Sequence, residues 1–166
     1  DDKIKFHHYY ELTTNYFKSD ASGILSSHEV LMNNGNWKNI SDIQVGESIK
    51  SYYLNGTPQN ENDLNYLNWS YDGAQFPSGS FITTSDVVYK DVKNLKYGSM
   101  IEMVIDDDSL FSGLGKRYLV YNSLTGKTNF RSISAINALT DYLYDIDGNL
   151  IQVDEVNFYV STENNL

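Results

Sequence analysis

Turn-forming residues recur along the chain at intervals that leave room for short strands and little else. Each turn places asparagine, aspartate or glycine between two runs that are rich in β-branched and aromatic residues, and these turn residues tolerate the positive φ angles of hairpins. The clearest turns are Asn33–Asn36, Asn55-Gly56, Thr125-Gly126 and Asp147–Asn149. This spacing predicts antiparallel strands that are joined mainly by hairpins.

The runs between the turns have the composition of strands. Tyrosine is frequent, with 14 residues, and valine, isoleucine and threonine accompany it, whereas strong helix formers are sparse. We therefore predict an all-β fold. The predicted strands are Lys5–Thr13, Glu29–Met32, Ser48–Leu54, Gly79–Thr84, Val87–Val92, Ser99–Ile105, Lys116–Tyr121, Thr128–Ile136, Asp141–Ile146 and Leu150–Ser161.

Length and hydrophobicity fit one domain over residues 1–166. The chain is 40% hydrophobic, which is enough to build a core at this length. The stretch 57–77, TPQNENDLNYLNWSYDGAQFP, contains both prolines and shows little alternation. We expect an insertion or a long loop at about 55–78.

Charge and cysteine content exclude several classes of function. The formal net charge of −10 would repel nucleic acid and anionic membrane surfaces, so we expect neither as a partner. The absence of cysteine rules out disulfides, thiolate metal sites and a cysteine nucleophile, and no sequence motif calls for a cofactor. The first residues, DDKIKFHHYY, have no initiator methionine and no signal-peptide core, so we expect a fragment of a longer polypeptide.

His28 opens a stretch with a distinctive order of elements. It is followed by a strand, a glycine turn at Gly35, the residues Ile40–Ile43, and the phrase Val45–Ile49. This order resembles the Hint superfamily of inteins and hedgehog autoprocessing domains, in which a Thr-x-x-His element leads into a strand, a glycine turn and a Gly-Asp phrase. The closing segments Tyr144–Ile146 and Val156–Val160 are similar to the last strands of that family. A source in a phage-type protein would suit the composition.

The resemblance implies a fold of two β units related by a pseudo-twofold axis. A weak internal similarity between the segment that begins at residue 26 and residues 83–101 suggests that these units lie around 26–54 and 82–105, with His28 in a cleft near both chain ends. A β-sandwich or a β-barrel is the alternative architecture.

The resemblance also implies roles for three residues. His28 would donate a proton to the departing nitrogen of a scissile peptide, a neighbouring hydroxyl such as that of Ser27 would polarise the carbonyl, and Asp145 is a third candidate. Such a domain performs an autocatalytic peptide-bond rearrangement, and its partners are the flanking segments of its own polypeptide.

This chain departs from the active family pattern at several positions. Leu25, three residues before His28, takes the place of the threonine, and Asn164–Leu166 lacks the terminal His-Asn pair. In the other possible register, in which the stretch around His28 is the opening motif of the family, the nucleophile would fall near Gly23, which has no nucleophilic group. We therefore expect a domain that is degenerate or incomplete for self-cleavage and protein splicing. On the alternative interpretation, His28 is a strand-start histidine that bonds only to backbone.

A second function comes from a different class. Trp69, Tyr66 and Tyr71 lie among asparagines and aspartates, and aromatic faces of this kind stack on sugar rings. The alternative is thus a structural module of a phage virion or cell-surface protein that binds glycans or partners. We predict no metal site, because Asp106–Asp108 is typical of a solvated turn and the adjacent His7 and His8 point to opposite faces of a strand.

Overall fold

The computed structural model describes residues 8–14, 21–25, 28–56, 69–94, 98–113, 116–145 and 147–161. Over these residues the protein is all-β, as the sequence predicts, with two short 3-10 helices at Ile40–Asp42 and Ile133–Ala135. No helix in this part of the chain has the length and apolarity that a membrane span requires. The strands are β1 (His8–Thr14), β2 (Ala21–Leu25), β3 (Glu29–Leu31), β4 (Trp37–Asn39), β5 (Ser48–Tyr53), β6 (Ser70–Asp72), β7 (Phe81–Asn94), β8 (Gly98–Ile105), β9 (Asp108–Gly113), β10 (Arg117–Asn122), β11 (Lys127–Ser132), β12 (Asp141–Tyr144), β13 (Leu150–Gln152) and β14 (Glu155–Ser161).

The strands form three antiparallel sheets. A seven-stranded sheet has the order β14-β8-β9-β2-β1-β7-β5, a five-stranded sheet has the order β13-β12-β10-β11-β6, and β3 pairs with β4. The described strands close no barrel, so the barrel alternative does not hold for this part of the chain.

The predicted turns lie where the sequence indicates them. Gly35 joins β3 to β4, Gly126 joins β10 to β11, Gly148 joins β12 to β13, and Gly56 follows β5, all with positive φ. The run Asp106–Asp108 contains the β8–β9 hairpin turn, in which Asp106 (φ 49°) and Asp107 (φ 67°) both adopt the left-handed conformation. Aspartate tolerates this conformation better than most residues, because its short side chain can bond to nearby backbone.

The long strand β7 corrects one prediction. Residues 79–84 and 87–92 were expected to be two strands, and the unit around 82–105 was expected to repeat the unit around 26–54. Instead Phe81–Asn94 is one continuous strand, which pairs with β5 through its first half and with β1 through its second. This predicted repeat is wrong, because residues 29–53 contain three strands and a 3-10 helix, whereas residues 83–94 belong to one strand. The expected long loop contains β6, and residues 57–68 lie outside the described part.

Two hydrophobic clusters form the core, and each contains the isoleucine that begins one 3-10 helix and the isoleucine that follows it. Ile40 and Ile43 belong to the first cluster, and Ile133 and Ile136 belong to the second. Burying such a side chain contributes about 2 kcal/mol. The other buried members are Met32, Ile49 and Val87 in the first cluster, and Ile101, Met103, Ile105, Val120, Leu143 and Val153 in the second.

The two 3-10 helices are also bonded to the rest of the fold in the same way. The Ile40 N–H donates to the carbonyl of His28 (2.9 Å), and the Ile133 N–H donates to that of Lys116 (2.8 Å). Further along the chain, each turn is anchored to a valine in its cluster. The Gly46 N–H donates to the Val87 carbonyl (2.8 Å), and the Leu139 N–H donates to the Val153 carbonyl (2.7 Å).

Candidate functional site

His28 connects the start of β3 to β9. Its carbonyl caps the first 3-10 helix, and its Nε2 atom accepts a hydrogen bond of 2.8 Å from the N–H of Phe111. The imidazole also stacks on the Phe111 ring, with 6.3 Å between ring centroids and 16° between planes. His28 is therefore held by backbone and ring contacts from two separate parts of the chain.

This geometry fixes the protonation state of His28. A nitrogen that accepts an N–H bond carries no proton, so the neutral imidazole has its proton on Nδ1. Burial lowers the pKa of His28 below its usual value of 6.5. Protonation of Nε2 would also place an N–H against the N–H of Phe111. His28 is thus a neutral hydrogen-bond acceptor at pH 7.

The other two predicted site residues lie elsewhere. Ser27 is outside the described residues. Asp145 caps the β12–β13 hairpin, where its carboxylate accepts the N–H bonds of Asp147 and Asn149, each at 2.9 Å. The bond from the Asn149 backbone is the main reason that the pKa of Asp145 is lowered. His28 and Asp145 lie on different hairpins, and a shared site with Ser27 stays a prediction.

A cavity of about 350 Å³ opens beside His28. It lies where β3, β4, β5, β9 and β10 approach one another. Its lining combines apolar side chains with two lysines, one carboxylate and a tyrosine: His28, Glu29, Val30, Leu31, Trp37, Ile49, Lys50, Ser51, Leu110, Lys116 and Tyr118. This is the size of a small-molecule site.

The polar part of the cavity was not predicted from the sequence. Lys116 Nζ lies 5.3 Å from the centre of the Tyr118 ring, and the Tyr118 hydroxyl bonds to Ser112 Oγ at 3.4 Å. Burial raises the pKa of Tyr118 to about 12, so the phenol keeps its proton at neutral pH. Lys50 and Lys116 come from different strands or strand ends, and no local motif marks them.

The aromatic residues of the alternative function pack against neighbours. The Trp69 ring lies 5.1 Å from that of Tyr71 and 5.5 Å from that of Phe130, measured between centroids. Both Trp69 and Tyr71 are half-buried, and burial raises the pKa of the Tyr71 hydroxyl. Tyr66 lies outside the described residues. Glycan binding at this cluster stays a prediction.

Metal binding has no visible site in the residues that the structure covers. Among them, no group of three or more histidine, aspartate or glutamate side chains is arranged to hold an ion. Asp106–Asp108 is exposed in its hairpin turn. His7 is outside the described residues, and His8 is described only as a backbone position in β1.

The chain was compared with models of known protein families and with curated proteins, and neither comparison gave a match. Function is therefore inferred from the fold and from the residues around His28.

Proposed function

We propose that this chain is a Hint-like domain that keeps the two-unit β fold and has lost self-processing. The first support is the strand order of the large sheet, which is the same when counted outward from the β2–β9 pair. On one side β2 pairs with β1 and β1 with β7, and on the other side β9 pairs with β8 and β8 with β14. This order favours two units, residues 8–94 and 98–161.

The pairing register supports an axis between the units. Val87 and Val153 each accept a hydrogen bond from the turn after a 3-10 helix, so they hold equivalent places. Tyr10 pairs with Val92, five residues after Val87, and Ile101 pairs with Phe158, five residues after Val153. Tyr10 and Ile101 are therefore also equivalent. Tyr10 also pairs with Ile24, and Ile101 pairs with Ser112. Across the junction, Ile24 pairs with Ser112 itself. Two equivalent residues oppose each other at a twofold axis.

A sequence repeat accompanies this arrangement. Residues 36–43 read NWKNISDI and residues 129–136 read NFRSISAI, with an aromatic and a basic residue at matching places. The matching basic residues, Lys38 and Arg131, each bind a carboxylate that also caps the turn. Lys38 binds Glu47 at 2.8 Å, and Arg131 binds Asp141 at 2.6 Å. These paired features favour duplication of one β unit.

The hydrogen bond from the Phe111 N–H to His28 Nε2 carries the functional part of the proposal. It commits that nitrogen to the fold, so His28 is not set up to protonate a leaving amine through it. Leu25, at the place of the family's threonine, has no hydroxyl, and in the other possible register the place of the nucleophile falls near Gly23, which has no nucleophilic group. The domain therefore serves as a folded module of its polypeptide.

Intact mass tests this function. The domain is expressed between two reporter proteins, with any native flanking sequence retained, as wild type and as His28→Ala. Both are followed over hours with and without hydroxylamine or a thiol. We expect unchanged masses in every sample. Fragments or a spliced product in the wild type that disappear in His28→Ala would show that His28 acts as an acid in self-processing.

A further inference from the structure

We infer that the cavity beside His28 binds a small apolar molecule that carries a carboxylate. This ligand site goes beyond the proposed function and does not depend on it, since a domain with or without self-processing could hold a ligand there. The inference is based on the apolar wall, the exposed indole at the rim and the sign of the charges.

Apolar residues from β3, β5 and β9 line part of the cavity wall. Ile49 is buried, and Val30, Leu31 and Leu110 are half-buried beside it. Such a surface favours the hydrocarbon part of a ligand, because covering it removes apolar area from water. A wholly polar ligand would leave this wall unused.

Trp37 is the exposed part of that wall. Its side chain is 61% exposed, and it lies between this cavity and a second one of about 410 Å³. An indole that is open to water beside a cavity offers a flat apolar face, with an N–H at its edge, that a ligand can cover. A ligand in the cavity would cover one side of this ring.

The charges select an anionic group. Lys50 and Lys116 line the cavity against one carboxylate, that of Glu29, in a chain whose formal net charge is −10. The lining thus has more lysines than carboxylates, whereas the whole chain has more carboxylates than lysines and arginines. An ammonium donates to a carboxylate through a charge-assisted hydrogen bond. The un-ionised Tyr118 phenol adds a neutral polar group to the same lining.

The probes for this site are octanoate, octanol and octylamine, which share a chain and differ in charge. Trp69→Phe leaves Trp37 as the one remaining tryptophan, so its fluorescence reports on the cavity. We expect octanoate to change the Trp37 emission saturably, and octanol and octylamine to bind more weakly. Acetyl-Leu-Leu with a free carboxylate tests a peptide C-terminus as the source of the same chemistry.

Lysine variants make the test specific. Lys50→Gln should weaken the binding of octanoate or the peptide acid by about tenfold or more. Lys116→Gln should weaken binding by a similar factor. If one of the two variants folds poorly, the other still provides the measurement. Lys127→Gln is the matched control, because Lys127 is on β11, is 57% exposed and faces Asp72 at 3.7 Å. Its affinity should not change.

Three results would overturn the inference. They are no saturable change with either carboxylate, equal affinity for octylamine, and unchanged affinity in folded Lys50→Gln and Lys116→Gln proteins. None of these results bears on the mass experiment, so the two proposals can fail separately.

Discussion

At the scale of single residues, His28 is the side chain whose chemical state is most closely set by the fold. Burial of the ring is the main reason that the pKa of His28 is lowered. The Phe111 N–H donates to Nε2, so a proton on this nitrogen would break that bond. A histidine whose pKa is lowered on folding makes stability depend on pH in a defined direction. Above the usual value of 6.5, both folded and unfolded chains are neutral at this position and the full stability is present.

We expect the wild type to lose stability as the pH falls below 6.5. The unfolded chain then takes up a proton that folded His28 resists, and the loss stops once the pH is below the folded pKa. His28→Gln keeps an oxygen acceptor for the Phe111 N–H without titrating, so it should be nearly independent of pH by comparison. Urea unfolding at pH 5, 6 and 7 measures both proteins.

The comparison with His28→Gln separates the contribution of His28 to the pH dependence of stability from that of the other two histidines. At pH 7 the variant should lose no more than about 1 kcal/mol, since the hydrogen bond is replaced. An NMR titration of the His28 ring gives the folded pKa directly. The same pH dependence in both proteins, or a folded pKa above 6.5, would contradict this assignment.

At the scale of elements, the loops that follow the two 3-10 helices have different residues at the position with a positive φ angle. Gly46 (φ 98°) and Leu139 (φ 72°) hold matching places with positive φ. Glycine adopts this conformation freely, whereas a leucine is strained in it by about 1–2 kcal/mol. Leu139 is also 62% exposed, so its side chain gives little burial in return.

Leu139→Gly should therefore stabilise the protein by about 0.5 kcal/mol, after allowing for the greater freedom of glycine in the unfolded chain. Gly46→Ala is the matched variant and should destabilise it by about 1 kcal/mol. Thermal and urea unfolding measure the two changes. A loss of stability in Leu139→Gly would argue against the left-handed backbone at this residue.

The ion pairs of the two turns should differ in strength. The Asp141 carboxylate is fully buried and accepts bonds from Arg131 (2.6 Å), Asn122 (2.7 Å) and the Asn137 N–H (2.7 Å). The Glu47 side chain in the matching pair is 31% exposed. Water compensates a broken pair at the surface far better than one in the core.

Asp141→Asn should cost about 3 kcal/mol or more, because it leaves the Arg131 charge and its donors without their ionised acceptor. Glu47→Gln should cost about 1 kcal/mol or less. Equal losses in urea unfolding would mean that the two turns do not differ in burial as the structure has them.

The sequence predicted the elements better than their assembly. Turn residues such as Gly35 and Gly148 act locally, so their conformations follow from residue type. The repeat between 36–43 and 129–136 was missed because hairpins of different length separate its flanking strands. Lys50 and Lys116 were missed as site residues because long-range strand pairing alone brings them to one cavity. Asp145 was predicted as a site residue because the segment Tyr144–Ile146 resembles a family motif, but its hydrogen bonds are those of a hairpin turn.

At the scale of the whole molecule, the two proposed units would meet at the pairing of β2 with β9. Ile24 and Ser112 are directly opposed there, and they are the equivalent residues through which the proposed axis passes. Directly opposed residues in an antiparallel pair have Cα atoms about 4.5–5.5 Å apart, which is within the range that a disulfide spans. The chain has no cysteine of its own, so any disulfide that forms must join the two introduced cysteines.

The most direct test of the two-unit arrangement is the double variant Ile24→Cys with Ser112→Cys, oxidised mildly as a folded monomer and analysed by intact mass. The account predicts an intramolecular disulfide, seen as the loss of two hydrogens and reversed by reductant. The control, Ile24→Cys with Asp108→Cys, moves one thiol four residues along β9, about 13 Å away, and should stay reduced. Free thiols in the first pair, or disulfides only between molecules, would contradict the junction.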